Sequence, residues 1–133
     1  VRARLVVVCG RNEALRRELA AASWNCAVEV FGFVTNLHEF MAASDILVTK
    51  GGPGSVMEGC VAGLPVLIYD YLPGQEIGNI RLVEQAGAGS YVPRNADLVA
   101  AVKRLLDDET ARARTGSRSR SLAVPDSSHR IVR

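Results

Sequence analysis

Short apolar runs rich in β-branched residues alternate with longer stretches of helical spacing, and this alternation constrains the fold more than any other feature of the chain. Runs at 5–9, 28–31, 46–49, 66–69 and 90–92 read as strands. Stretches at 12–22, 37–43, 56–62, 78–86 and 96–106 read as helices, with a further helical stretch at 108–120. Strand, helix, strand, repeated, predicts an α/β fold: a parallel sheet with helices on both faces and right-handed crossovers. The first run, Leu5 to Cys9, does not alternate apolar with polar, which predicts a strand buried on both faces. The stretch at 12–22 places Leu15 and Leu19 on one helical face. Gly63, with Pro65 just beyond, ends one helix, and Gly87 stops another.

The length of 133 residues fits one domain, expected over 1–122, with a frayed tail at 123–133. A composition of 48% hydrophobic and 23% charged residues supports a packed core and argues against disorder. A formal charge of +2 is too small for nucleic-acid binding by bulk electrostatics. Cys9, Cys26 and Cys60 make an odd count without a Cys-x-x-Cys pair, so a disulfide framework or zinc site is not expected and a reducing compartment is. No apolar run approaches the roughly 20 residues that span a bilayer, and no signal peptide is seen. The chain opens Val1-Arg2-Ala3-Arg4 and enters a strand with no initiator Met, which reads as a piece of a longer protein.

In open parallel sheets, ligands sit beyond the carboxyl ends of the strands. That rule selects the loops at 10–12, 32–36, 50–55 and 70–79. The third holds Gly51-Gly52-Pro53-Gly54-Ser55 between a strand and a helix. Glycines let a ligand approach the backbone, and a helix N-terminus offers free N–H groups with partial positive charge, so the loop suits phosphate. Its spacing matches neither a dinucleotide fingerprint nor a P-loop. A plain strand-to-helix turn explains the same residues. Ser55 and Glu58 also fit a capping box, which needs no ligand. Alternatively, Glu58 faces the cleft and accepts hydrogen bonds from two ribose hydroxyls. In the fourth loop, Gln75, Glu76 and Asn79 cluster at a helix start. Amides and carboxylates are natural partners of sugar hydroxyls, and they are equally ordinary at a helix N-terminus.

The ordered set Val8-Cys9-Gly10-Arg11-Asn12, Gly32-Phe33-Val34-Thr35-Asn36, Thr49 to Glu58, Gly63-Leu64-Pro65 and Pro73-Gly74-Gln75-Glu76-Ile77-Gly78-Asn79 resembles the monogalactosyldiacylglycerol synthase family. Bacterial diglucosyldiacylglycerol synthases and the N-acetylglucosaminyltransferase of peptidoglycan synthesis are its wider kin. The resemblance implies the C-terminal, Rossmann-like half of a GT-B glycosyltransferase, the half that holds a UDP-sugar. It implies that Gly32, Phe33 and Val34 hold the uracil through the backbone. Gly52, Gly54 and Ser55 meet the diphosphate, Glu58 holds the ribose, and Gln75 and Glu76 hold the hexose with Asn79 behind them. The implied reaction transfers galactose from UDP-galactose to diacylglycerol with inversion, at a plastid envelope or other photosynthetic membrane that the full-length protein touches peripherally. The catalytic base and the diacylglycerol groove are implied to lie in an N-terminal domain outside this chain.

Two departures stand out. Gly51 occupies a position where the plant enzymes tend to have alanine, and Met57-Glu58-Gly59 replaces a commoner Ala-Glu-Ala. Gly59 inside a helix costs about 1 kcal/mol against alanine, which suggests close packing there. Lys50 and Arg11 are candidates to add positive charge near the diphosphate, Arg11 because it lies beyond the end of the first strand. For Lys50 a solvated loop side chain is an equal reading. His38 and His129 read as surface residues. Without an Asp-x-Asp or a His/Asp cluster, neither metal nor cofactor is expected. Arg112, Arg114, Arg118, Arg120, Arg130 and Arg133 make the C-terminal stretch basic, which fits a solvated helix face or contact with anionic lipid head groups. Trp24 and Tyr71 read as packing residues. The alternatives are another UDP-sugar transferase, glucosyl or N-acetylglucosaminyl, and a non-catalytic nucleotide-binding module.

Overall fold

A computed structural model describes residues 2–124. The chain forms two compact units, Val1–Leu37 and His38–Arg133.

In the first unit, β1 (Arg4–Val8) and β2 (Ala27–Phe31) flank α1 (Glu13–Ala21). The strands pair in parallel, from Arg4 opposite Ala27 to Val8 opposite Phe31. Asn12 starts α1 by accepting the Leu15 N–H on its side-chain oxygen at 3.0 Å, the usual service of an N-cap. Glu13 accepts two hydrogen bonds from Arg16, at 2.8 and 2.6 Å, which hold its carboxyl below the ordinary value. Trp24 donates its indole N–H at 3.0 Å to the Leu19 carbonyl at the helix end, which also accepts the Ala22 N–H at 3.4 Å. β1 is not buried on both faces: Leu5 is 40% and Val6 36% exposed. An unbroken apolar run permits burial on both faces, but covering layers must supply it. Two strands and one nine-residue helix, none of whose residues is buried, do not.

The second unit contains α2 (Leu37–Ala42, whose first residue closes the first unit), β3 (Leu47–Lys50), α3 (Pro53–Ala62), β4 (Val66–Asp70), α4 (Ile77–Ala86), β5 (Gly89–Tyr91), α5 (Asn95–Asp107) and α6 (Glu109–Ser121). Its sheet runs β3-β4-β5, all parallel. The ladder bonds therefore fall in two parallel sheets, one per unit, where the alternation alone suggested one.

β4 carries the core. Val66, Leu67 and Ile68 are each at most 1% exposed. The period of two divides them between faces. Val66 and Ile68 pack with Val56 and Cys60 of α3 and with Ile80 and Val83 of α4. Leu67 packs with Ala101 and Leu105 of α5. Helices thus cover both faces of this sheet, and each such aliphatic side chain contributes about 1.5–3 kcal/mol by leaving water.

Gly63 (φ 73°) and Gly87 (φ 68°) end α3 and α4 in the left-handed conformation, where a side chain is strained. α6 has almost no apolar residues and packs by other means. A Cβ on Gly116 would come 2.5 Å from the Gly63 carbonyl oxygen, so glycine permits the approach. Arg120 donates to the Ala62 carbonyl at 3.3 Å, and Arg112 to the Leu105 and Leu106 carbonyls at 2.9 and 3.2 Å. Arg118 lies against Gly87. These cations meet the C-terminal, partially negative ends of α3, α5 and α4. The basic stretch is therefore in large part a set of helix-end partners. Of the expected tail, Ala123 and Val124 are irregular, and 125–133, with His129, Arg130 and Arg133, lies outside the described residues. Among the described residues no helix is long and apolar enough to cross a membrane.

Candidate functional site

The glycine loop grows directly out of β3. The Gly51 N–H donates to the Asp70 carbonyl at 2.8 Å, continuing the β3–β4 ladder past a register shift at Thr49 and Lys50. Gly52 is the N-cap of α3, and Pro53 follows inside the first turn. Proline suits that position, since its fixed φ is helical and the N–H it lacks has no intrahelical acceptor there. The helix thus starts at Pro53, three residues earlier than the apolar spacing indicates. Ser55 becomes the third helical residue and not the cap, and no side chain caps α3. The Ser55–Glu58 capping box does not form. Hydrogen bonding along α3 begins with the Val56 N–H to the Gly52 carbonyl at 3.1 Å. The N–H groups of Gly54 and Ser55 precede that bond and point out of the helix end. Glu58, one turn further on, is exposed and forms no ion pair or hydrogen bond among the described residues. The outcome is a helix N-terminus with unused donors and a free carboxylate on the adjoining turn.

The second loop leaves β4 and closes on itself. Glu76 accepts the Leu72 N–H on Oε2 at 2.8 Å and donates its own N–H to the Leu72 carbonyl at 3.1 Å. Its Oε1 stays beside the glycine loop, 3.7 Å from where a Cβ on Gly52 would sit. Asn79 donates from Nδ2 to the Gly51 carbonyl at 2.7 Å. Glu76 and Asn79 thus join this loop to the start of α3. Gln75, beside them, is exposed. Tyr71 packs edge-on against Tyr91, with ring centroids 5.4 Å apart, in keeping with a packing role.

Lys50 is not a spare cation: it pairs with Asp70 at 3.3 Å. His38 is on the surface, its side chain 76% exposed. Arg11, Gly32, Phe33 and Val34 belong to the first unit, at the carboxyl ends of β1 and β2. There the Arg11 guanidinium lies 5.3 Å from the centroid of the Phe33 ring, a cation–π pair on a ring that is 63% exposed. Gly52, Gly54, Ser55, Glu58, Gln75, Glu76 and Asn79 belong to the second unit.

Gly51 is a part of this arrangement that the motifs did not single out for contact. A Cβ there would sit 3.0 Å from the Tyr71 Cβ and 3.5 Å from the Glu76 Cβ. Its carbonyl is the acceptor for an amide 28 positions away. The glycine pair was the available signal, but no local spacing ties it to Asn79.

The chain matches the family model described as the glycosyltransferase family 28 C-terminal domain over residues 2–131. It is 36% identical over 130 residues to the probable monogalactosyldiacylglycerol synthase 3, chloroplastic, of Oryza sativa subsp. japonica, covering 97% of this chain and 26% of that protein. It is 45% identical over 87 residues to monogalactosyldiacylglycerol synthase 3, chloroplastic, of Arabidopsis thaliana, covering 65% of this chain and 19% of that protein. The chain spans about a quarter of the length of the first of these relatives. Among solved structures, MurG of Acinetobacter baumannii superposes with a TM-score of 0.80 at 18% identity, over 99% of this chain and 40% of that one. At that identity the likeness speaks for the fold, which is the Rossmann-like GT-B type anticipated from the motifs.

Proposed function

We infer the function from one premise: the chain belongs to the glycosyltransferase family 28 C-terminal domain family. On that premise it is the donor-binding half of an inverting hexosyltransferase that moves galactose from UDP-galactose to diacylglycerol. The observation that carries the reading is the start of α3, where, among the described residues, the Gly54 and Ser55 N–H groups have no acceptor and Glu58 has no partner.

Each part has a stated task. The helix terminus binds the diphosphate and stabilises the charge that builds on departing UDP, a preorganised electrostatic effect. Glu58 accepts hydrogen bonds from the ribose diol, where a carboxylate fits and a phosphate does not. Gln75 and the Oε1 side of Glu76 hold the hexose. Gly32, Phe33 and Val34 hold the uracil, and Arg11 is the candidate for added positive charge near the diphosphate. Holding the donor for in-line attack is worth several kcal/mol as a proximity effect. The base that activates the acceptor hydroxyl and the lipid groove belong to the rest of the protein. No metal or cofactor enters this reading, because the chain has no Asp-x-Asp to carry one and the helix terminus meets the diphosphate. The acceptor and a chloroplast location rest on the names of the relatives, while the plastid envelope and peripheral membrane contact rest on the sequence resemblance alone. Arg112, Arg118 and Arg120 lie at helix ends, which leaves Arg114 as the cation of α6 best suited to a lipid head group.

The test is calorimetric titration of the full-length protein with UDP, UDP-galactose and UDP-glucose, beside Glu58→Ala. The expected result is saturable UDP binding, tighter for UDP-galactose than for UDP-glucose, and weakened about tenfold or more in the variant, as suits a lost pair of charge-assisted bonds. Unchanged UDP affinity in Glu58→Ala would remove the ribose assignment. Absence of UDP binding by the folded full-length protein would remove the donor-domain reading.

A further inference from the structure

We propose that Asn79 is a positioning residue for the diphosphate and not a sugar contact. Its side-chain amide fixes the plane of the Gly51–Gly52 peptide, and through it the direction of the N–H groups at the start of α3. The proposal deepens the donor-domain reading and rests on it.

A peptide joining two glycines meets little steric resistance to rotation about its flanking bonds. The peptide is trans and planar, so the Gly51 carbonyl and the Gly52 N–H point in opposite directions. A flip of that plane replaces a donor with a carbonyl oxygen at the same place. A donor attracts a diphosphate and a carbonyl oxygen repels it, so the orientation of this one plane governs the anion site. The structure anchors the peptide before this plane and latches the plane itself. Upstream, the Gly51 N–H, part of the Lys50–Gly51 peptide, is bound to the Asp70 carbonyl at 2.8 Å. Downstream, the Gly51 carbonyl accepts the Asn79 Nδ2 at 2.7 Å. The Gly52 N–H, on the opposite side, has no acceptor among the described residues. It is followed by the free N–H groups of Gly54 and Ser55, so the latched plane sets the first of three donors.

The geometry also decides what Asn79 is free to do. Its NH2 group is committed to Gly51, and the side chain is half-buried behind the loop. Glu76 braces the same spot, its carboxylate 3.6 Å from where a Gly51 Cβ would be. A residue in the sugar-side loop is therefore attached to the phosphate-side loop. Its loss acts on the diphosphate first.

The experiment compares the wild-type full-length protein with Asn79→Ala by titration with UMP, UDP and UDP-galactose, with thermal melting alongside. Alanine is a good helix former at the first turn of α4, and Asn79→Ser serves as a second variant if Asn79→Ala does not fold. The expected result is a loss of about fivefold to tenfold for UDP and UDP-galactose alike, the scale of one hydrogen bond. UMP, which lacks the β-phosphate, should change little. A loss for UDP-galactose alone would make Asn79 a sugar contact and overturn the proposal. An equal loss for all three ligands with a lowered melting temperature would reduce it to a general structural role, and no loss for any ligand would dismiss it. A wild-type protein that binds none of the three would fail at the donor-domain reading itself, which separates that failure from this one.

Discussion

Replacing Gly59 with alanine sets two effects of similar size against each other, and the structure says which wins. Gly59 sits in the middle of α3, where alanine would gain about 1 kcal/mol of helix propensity. An added Cβ, however, falls 2.5 Å from the Leu47 Cδ2 and 3.5 Å from the Val66 Cγ2. The first contact is well inside van der Waals separation, and overpacking of this kind costs about 1–3 kcal/mol. The offending atom is the end of a side chain on β3 that is only partly buried, so Leu47 turns aside and the cost stays near the middle of that range. The expected net effect of Gly59→Ala is a loss of about 1 kcal/mol, a fall of about 3–5 °C in melting temperature for a chain of this length. In a Leu47→Val background the Cδ2 atom is gone, and Gly59→Ala should be neutral or stabilising by up to about 1 kcal/mol. The two substitutions should therefore couple by about 1–2 kcal/mol in a double-mutant cycle. The assay is urea denaturation of the four proteins followed by far-ultraviolet circular dichroism. Fluorescence of Trp24 is the wrong probe, because Trp24 belongs to the first unit and Gly59 to the second. Gly59→Ala that stabilises the Leu47 protein, or a coupling near zero, would refute the interlock.

Two further substitutions probe α6. The Ser119 hydroxyl is fully buried without a hydrogen-bond partner among the described residues, so Ser119→Ala should leave stability unchanged or raise it by up to about 1 kcal/mol in the same urea assay. Gly63→Ala should cost more than about 1 kcal/mol from the left-handed backbone alone. The cost should be smaller when Arg120→Ala is also present, because Arg120 Nη2 lies 2.5 Å from where the new Cβ would be. Equal costs in both backgrounds would show that Arg120 does not press on that helix end.

The order of elements was legible because strand and helix periods are local. Among the described residues each of the eleven elements overlaps a stretch that reads as strand or helix, all but α6 by apolar spacing, and Gly63 and Gly87 end their helices as glycines in that position do. Two local readings failed, the first for a tertiary reason and the second to a stronger local signal. The 5–9 run was apolar enough for burial on both faces, but its unit supplies too few layers. Ser55 and Glu58 had the spacing of a cap, but Pro53 is pre-set for the first turn and moved the start of α3 upstream. Lys50 looked free because its partner Asp70 is twenty positions away on the neighbouring strand.

The sequence by itself determined the alternating α/β order, the glycine loop at the end of β3, the polar loop after β4 and the family likeness. Each of these resides in runs of neighbouring residues, where propensity and motif act. Only the tertiary structure decided how those pieces address one another. It placed the arginines of α6 on the ends of other helices, set Leu47 in the space that Gly59 leaves open, and brought Asn79 to the Gly51 carbonyl. These contacts join residues far apart in the chain, and their geometry is fixed by the packing of β4 between helices, which no local pattern encodes.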